Sequence, residues 1–87
     1  MQLSGNKKSG RTGRTLADLR SSETATVACL DLPEDLANRL MELGFIPGHP
    51  VEAVRRAPGG DPRIFRVDGA EIALRRETAQ HIYLRIS

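Results

Sequence analysis

The chain has 87 residues, 13 of them basic and 11 acidic, for a net charge of +2. That is enough for one domain and too little for two, and no apolar run approaches the roughly 20 residues that a membrane span needs. Cys29 is the sole cysteine, so there is no intrachain disulfide, which fits a reducing cytosol. Residues 1–14 hold Lys7, Lys8, Arg11 and Arg14, three glycines, no acid, and only Met1 and Leu3 as apolar side chains. Such a segment buries too little apolar surface to offset its ordering entropy, so a flexible basic tail is expected over 1–14 and one folded domain over 15–87. The tail lacks the apolar stretch of a signal peptide. Residues 15–87 then carry nine bases and 11 acids, net −2.

Thr24 to Leu30 (TATVACL) is β-prone and predicts a first strand. The next segment, DLPEDLANRLMELG, predicts a helix. Asp31 and Glu34 have capping-box spacing, and Pro33 stands near the first helical position, where its missing N–H matters least. Leu36, Leu40 and Leu43 recur at i, i+4 and i+7, with Ala37 and Met41 widening the stripe. Gly44 is placed to end the helix in a left-handed conformation. Pro47-Gly48 suits a type II turn. Val51 to Ala57 predicts a second strand, Pro58 to Pro62 a turn-rich hairpin loop, and Arg63 to Val67 the returning strand. Asp68-Gly69 is a strong type I′ hairpin signal. Glu71 to Leu74 continues as a strand, Arg75 to Gln80 as a short helical turn, and His81 to Ile86 as a last strand with Ile82, Leu84 and Ile86 inward. The whole predicts a mostly β fold: a small barrel of five to six short strands, with one helix after the first strand and a helical turn before the last.

The run RLMELGFIPG (Arg39 to Gly48) resembles the RL-x-x-LG-x-x-x-G signature of the FeoA family. APGGDPRIFRVDG (Ala57 to Gly69) resembles the hairpin of that family, IALRRETAQHIYL (Ile72 to Leu84) its ending, and LADL (Leu16 to Leu19) its opening. The four stretches are collinear and span residues 16 to 86. The resemblance implies an SH3-like barrel with a helix inserted after the first strand. It also implies a cytoplasmic, non-enzymatic accessory role in ferrous iron uptake beside a FeoB-type membrane transporter. The same barrel occurs in metal-dependent repressors of the diphtheria-toxin-repressor type, so an iron-responsive regulator is the alternative within the family. Two features depart from the family pattern: the basic tail, and a second arginine, Arg76, after Leu74-Arg75.

The residues that could carry chemistry are few. Cys29, His49 and His81 are the best metal donors, and no two have i,i+4 or C-x-x-C spacing. No specific metal site is expected; weak or transient Fe2+ binding is compatible with the chain. Cys29 in a β-prone run reads as a small buried hydrophobe. No nucleophile motif is present, and Gly59-Gly60 lacks the G-K-[ST] of a phosphate loop. A proline-rich ligand is disfavoured, because such grooves are lined with aromatics and this chain offers only Phe45, Phe65 and Tyr83. Nucleic acid is the competing ligand class. Arg55, Arg56, Arg63 and Arg66 flank the central hairpin, but Glu52, Asp61 and Asp68 interleave with them and predict cross-strand self-pairing.

A protein interface remains. Its first candidate is the helix end and following turn, Leu43, Gly44, Phe45, Ile46, Pro47 and Gly48, where two large apolar residues come directly after a helix cap. A cap often needs one hydrophobic contact back to the helix, which would use one of them. The second candidate is the hairpin tip, Pro58, Gly59, Gly60, Asp61 and Pro62. The expected partner is the cytosolic part of a FeoB-type transporter, with the chain itself a monomer or weak dimer. An untethered basic tail is expected, with a weak tether to an anionic membrane surface as the second hypothesis.

Overall fold

The computed structural model describes residues 14–85. The basic tail up to residue 13, and the expected inward Ile86, lie outside the described residues. Chain order runs from a 3-10 turn at Leu16–Asp18 to β1 (Thr24–Leu30), helix α1 (Glu34–Leu43), β2 (Pro50–Arg56) and a second 3-10 turn at Pro58–Gly60. It continues through β3 (Arg63–Val67), β4 (Ala70–Leu74), helix α2 (Arg76–Ala79) and β5 (Ile82–Leu84). The five strands form one antiparallel sheet in the order β4-β3-β2-β1-β5.

β1 gives the sheet its bend. Its first half pairs with β2, Thr24 opposite Glu52 and Thr26 opposite Pro50, and its second half with β5, Val27 opposite Leu84 and Leu30 opposite Ile82. A register shift between Val27 and Cys29 separates the halves. A bulge bends a strand and re-aims the next side chain, and the consequence is a correction. By alternation Cys29 would share the buried face of Val27; instead Ala28 and Cys29 are both exposed. β4 and β5 are not paired with each other. The far edge of β5 meets the chain start, where Thr15 bridges Tyr83 and the Leu84 N–H donates to the Arg14 carbonyl at 2.9 Å.

The core is one cluster that includes Leu16, Leu19, Val27, Leu40, Phe45, Val51, Phe65, Val67 and Ile82. Inward and outward residues alternate along β3, and Phe65 and Val67 are fully buried. The Asp68-Gly69 turn has φ of 53 and 82 at its two residues, as a type I′ turn requires. Leu16 and Leu19 come from the short opening turn, which a Thr15–Asp18 capping box holds in shape.

α1 differs from its expected form at both ends. No side chain caps its start: Pro33 occupies the cap position, and the Asp31–Glu34 box does not form. At its end Gly44 has φ 118. The Gly44 N–H donates to the Met41 carbonyl at 3.0 Å and the Phe45 N–H to the Leu40 carbonyl at 3.1 Å. This is the paired bonding of a Schellman cap, whose hydrophobic contact joins the residue after the glycine to the helix. Phe45 and Leu40 make it inside the core. The apolar stripe therefore stops short: Leu40 is buried, Leu36 half-buried, and Leu43 is turned out to 43% exposure.

Candidate partner-docking face

The candidate residues at the helix end divide by burial. Gly44 and Phe45 are buried, so neither offers a surface; this corrects the expectation that Phe45 belongs to the face. The Schellman contact is the physical reason. Leu43, Pro47 and Gly48 are exposed and Ile46 is half-buried. Leu43 is the exposed large hydrophobic among the described residues. Pro47 and Gly48 occupy the corners of a type II turn: Gly48 has φ 95, and the His49 N–H donates to the Ile46 carbonyl at 2.8 Å. β1 holds this turn from one side, through Gly48 N–H to Val27 C=O at 2.8 Å and Val27 N–H to His49 C=O at 3.0 Å. Leu43, Ile46 and Pro47 are thus the apolar side chains this segment leaves wholly or partly at the surface, a short ridge in sequence whose turn is bonded to β1.

At the hairpin tip Pro58, Gly59 and Asp61 are exposed, and Gly60 and Pro62 half-buried. Asp61 is not free. One carboxylate oxygen accepts the Arg76 backbone N–H at 2.8 Å and the other lies 3.9 Å from Arg75. It ties the tip to the start of α2, a tertiary contact that local spacing does not reveal.

Of the interleaved charges only Arg66 and Glu52 pair as expected among the described residues; Asp61 turns to α2, and Glu71 of β4 supplies the other acid. Arg66 bridges Glu52 at 2.8 Å and Glu71 at 3.1 Å, and Arg55 reaches Glu71 at 3.1 Å. The Arg55 guanidinium, with Arg66, holds the Glu71 carboxyl below the usual carboxylate range, and Glu52 and Glu71 raise Arg66. Arg14, expected in the tail, belongs to the fold. Its guanidinium grips Glu23 with two bonds of 2.7 and 2.8 Å and also donates to the Asp18 carbonyl at 2.9 Å. The bond from Arg14 and the Arg20 N–H hold Glu23 down to about 2. A groove of about 460 Å³ runs beside this pair, between Thr24–Thr26 and Leu84–Arg85. The shift of Glu23 there has a structural cause, its pairing with Arg14. Arg63 is buried, 2% exposed, with no ion-pair partner among the described residues.

The possible metal donors stay apart. Cys29 and His49 are exposed on different segments and His81 is half-buried before β5. Among the described residues no three His, Cys, Asp or Glu side chains come together as a metal site. No helix among them is long and apolar enough to cross a membrane.

A strongly bent five-stranded antiparallel sheet, with a helix after the first strand and a short one before the last, defines a small SH3-like barrel. Residues 14–86 match the family model described as the FeoA domain, and the chain belongs to the FeoA family. It is 28% identical over 71 residues to an Fe(2+) transport protein A/Fe(2+) transporter FeoB fusion protein of Porphyromonas gingivalis, a match covering 82% of this chain but 8% of that relative. Two solved structures are close in fold. The FeoA protein of Chlorobium tepidum superposes with a TM-score of 0.77 at 30% identity, over 83% of this chain and 69% of that one. The Stenotrophomonas maltophilia FeoA complexed with zinc gives 0.73 at 34% identity, over 84% and 91%. The latter is described as a prokaryotic SH3 domain protein and suggested to act as a ferrous iron transport activating factor.

Proposed function

We propose that this domain is a non-enzymatic accessory protein of ferrous iron uptake that works in the cytoplasm. It docks on the cytosolic part of a FeoB-type transporter and modulates it. The observation that carries the reading is the relative in which an FeoA region and a FeoB transporter share one chain, since fused regions act side by side. The Leu43–Ile46–Pro47 ridge is the docking face in this proposal. An exposed leucine beside two further apolar side chains, on a turn held by β1, has the rigidity and chemistry of an interface anchor. The hairpin tip at Pro58–Pro62 is a secondary contact, its Asp61 already engaged within the domain.

The same reading assigns no tight ferrous site to the chain. Iron passes through the transporter, and this domain meets it weakly or transiently. Anaerobic calorimetry with Fe2+ is expected to give no stoichiometric submicromolar binding; such a site would overturn that part.

The docking test is co-purification with the transporter's cytosolic part, together with ferrous iron uptake in cells. Leu43→Ala and Pro47→Ala variants are expected to fold normally and to lose about tenfold or more in affinity, the scale of a truncated interface anchor. Folded variants that still co-purify and restore uptake would move the interface elsewhere. Recovery of DNA or RNA in place of the transporter would favour the regulator reading.

A further inference from the structure

Arg63 opens β3 with its side chain on the core side, in line with Phe65 and Val67. Its guanidinium carbon lies 5.6 Å from the Phe65 ring centroid, and Nη1 donates to the Leu19 carbonyl. The opposite edge of the guanidinium, Nε and Nη2, is buried and has no hydrogen-bond partner. These two nitrogens form a functional unit. Their N–H bonds are parallel and make the side-on fork with which arginine grips a carboxylate or phosphate through two bonds.

Nothing among the described residues fills that fork. No carboxylate among the described residues pairs with Arg63, and the charge that acts on it is another cation, Arg56, its register partner on β2. Arginine keeps its proton at neutral pH, yet burial and Arg56 both press against that charge. A buried cation beside a second cation, with two donors unpaired, is a high-energy arrangement when dry. Water would satisfy the donors and leave the charge; an anion satisfies both.

We propose that Arg63 forms the inner wall of a small oxyanion site at this end of the barrel. A phosphate- or carboxylate-type group is held side-on by Nε and Nη2, with Arg56 supplying a second positive charge. The fork is closed to solvent. Entry of the anion therefore requires a local opening of the barrel end around Arg63. The site is independent of the docking ridge.

The test uses the full chain, labelled with 15N and titrated with inorganic phosphate at constant ionic strength against chloride. The readout is the Arg63 Nε–H signal, assigned by its absence in Arg63→Lys. A saturable shift of that signal is expected, with a melting temperature higher in phosphate than in chloride. Arg63→Lys keeps the charge and loses the fork, so the phosphate-specific rise should vanish. Arg56→Gln, at an exposed position, should weaken phosphate by roughly threefold to tenfold, the factor a neighbouring charge near a protein surface supplies. Arg76→Gln should change nothing. A parallel acetate titration separates the sources: a response to both anions marks a carboxylate-type ligand, a response to phosphate alone a phosphate-type one. A signal that stays put or drifts linearly with salt overturns the proposal. So does a phosphate effect that survives in Arg63→Lys, which means an adventitious ion only. Should Arg63→Lys fail to fold, the Arg56→Gln titration decides, and an unchanged affinity overturns the site.

Discussion

Leu43 and Phe45 stand two residues apart, and Gly44 between them sets their opposite roles. The positive φ of Gly44 reverses the chain after α1, which sends Phe45 into the core and leaves Leu43 in solvent. Phe45→Ala is therefore expected to lose about 3–5 kcal/mol, the range for truncating a buried aromatic. Chemical denaturation measures this, and a loss under ~1 kcal/mol would mean that Phe45 is not packed as described. For a domain whose core is of the size that gives only ~3–5 kcal/mol, such a variant unfolds and says nothing about binding. Leu43→Ala changes an exposed side chain and should stay within about 0.5 kcal/mol. It is the residue that separates docking from folding. Gly44→Ala tests the hinge itself. An added Cβ would come within 3.1 Å of both Val67 and Asp68, at a φ that side chains rarely adopt. A loss of roughly 1–3 kcal/mol is expected from such a strained position, read from the same denaturation curves.

At the scale of elements, the segment from Arg14 to Glu23 behaves as a strap that closes on itself. The Arg14–Glu23 pair joins its two ends, the Thr15–Asp18 box shapes its middle, and Leu16 and Leu19 fill the core beneath. The Glu23 carboxyl lies at about 2 in the fold, against an ordinary 4.5. A depressed carboxylate stabilises the fold fully above its unfolded value. That contribution is lost as pH falls from about 4.5 toward about 2. Melting curves of the native chain should thus drop over this window more steeply than those of Glu23→Gln. Parallel acid limbs in the two proteins would remove Glu23 as the cause. The strap is also where the sequence was hardest to read. LADL marks an opening by resemblance, but the Arg14–Glu23 pair spans nine positions and has no local signature. The tight turns were legible because their signals are local: Asp68-Gly69 needs only its own two residues, and Pro47-Gly48 likewise. The exposure of Cys29 was not legible, because a bulge depends on how β1 divides its pairing between β2 and β5. The surface proposed for docking was legible in part. Its position follows from the cap, while which apolar residue the cap consumes depends on the depth of the core behind it.

On the scale of the whole molecule, Arg14, which composition assigns to the tail, makes its contacts with the folded domain. Lys7, Lys8 and Arg11 are the bases of residues 1–13, which contain no acid. Arg14 instead pairs with Glu23 and accepts the Leu84 N–H at its carbonyl. Two truncations that differ by a single residue should therefore behave differently. Removing residues 1–13 takes three positive charges and leaves every described contact in place, so the melting temperature should hold. Removing residues 1–14 also strips β5 of a backbone hydrogen bond, worth about 1 kcal/mol, and takes the Arg14 guanidinium from Glu23. A drop of roughly 4–8 °C accompanies each kcal/mol in a domain of this size. Equal melting temperatures for the two truncations would place Arg14 in the tail after all. The shorter truncation also tests the second hypothesis for the tail, a membrane tether, in which each base near an anionic surface contributes ~1 kcal/mol at most. If the tether operates, co-sedimentation with phosphatidylserine vesicles at low salt should fall when residues 1–13 are absent; unchanged sedimentation would remove the tail from any membrane role.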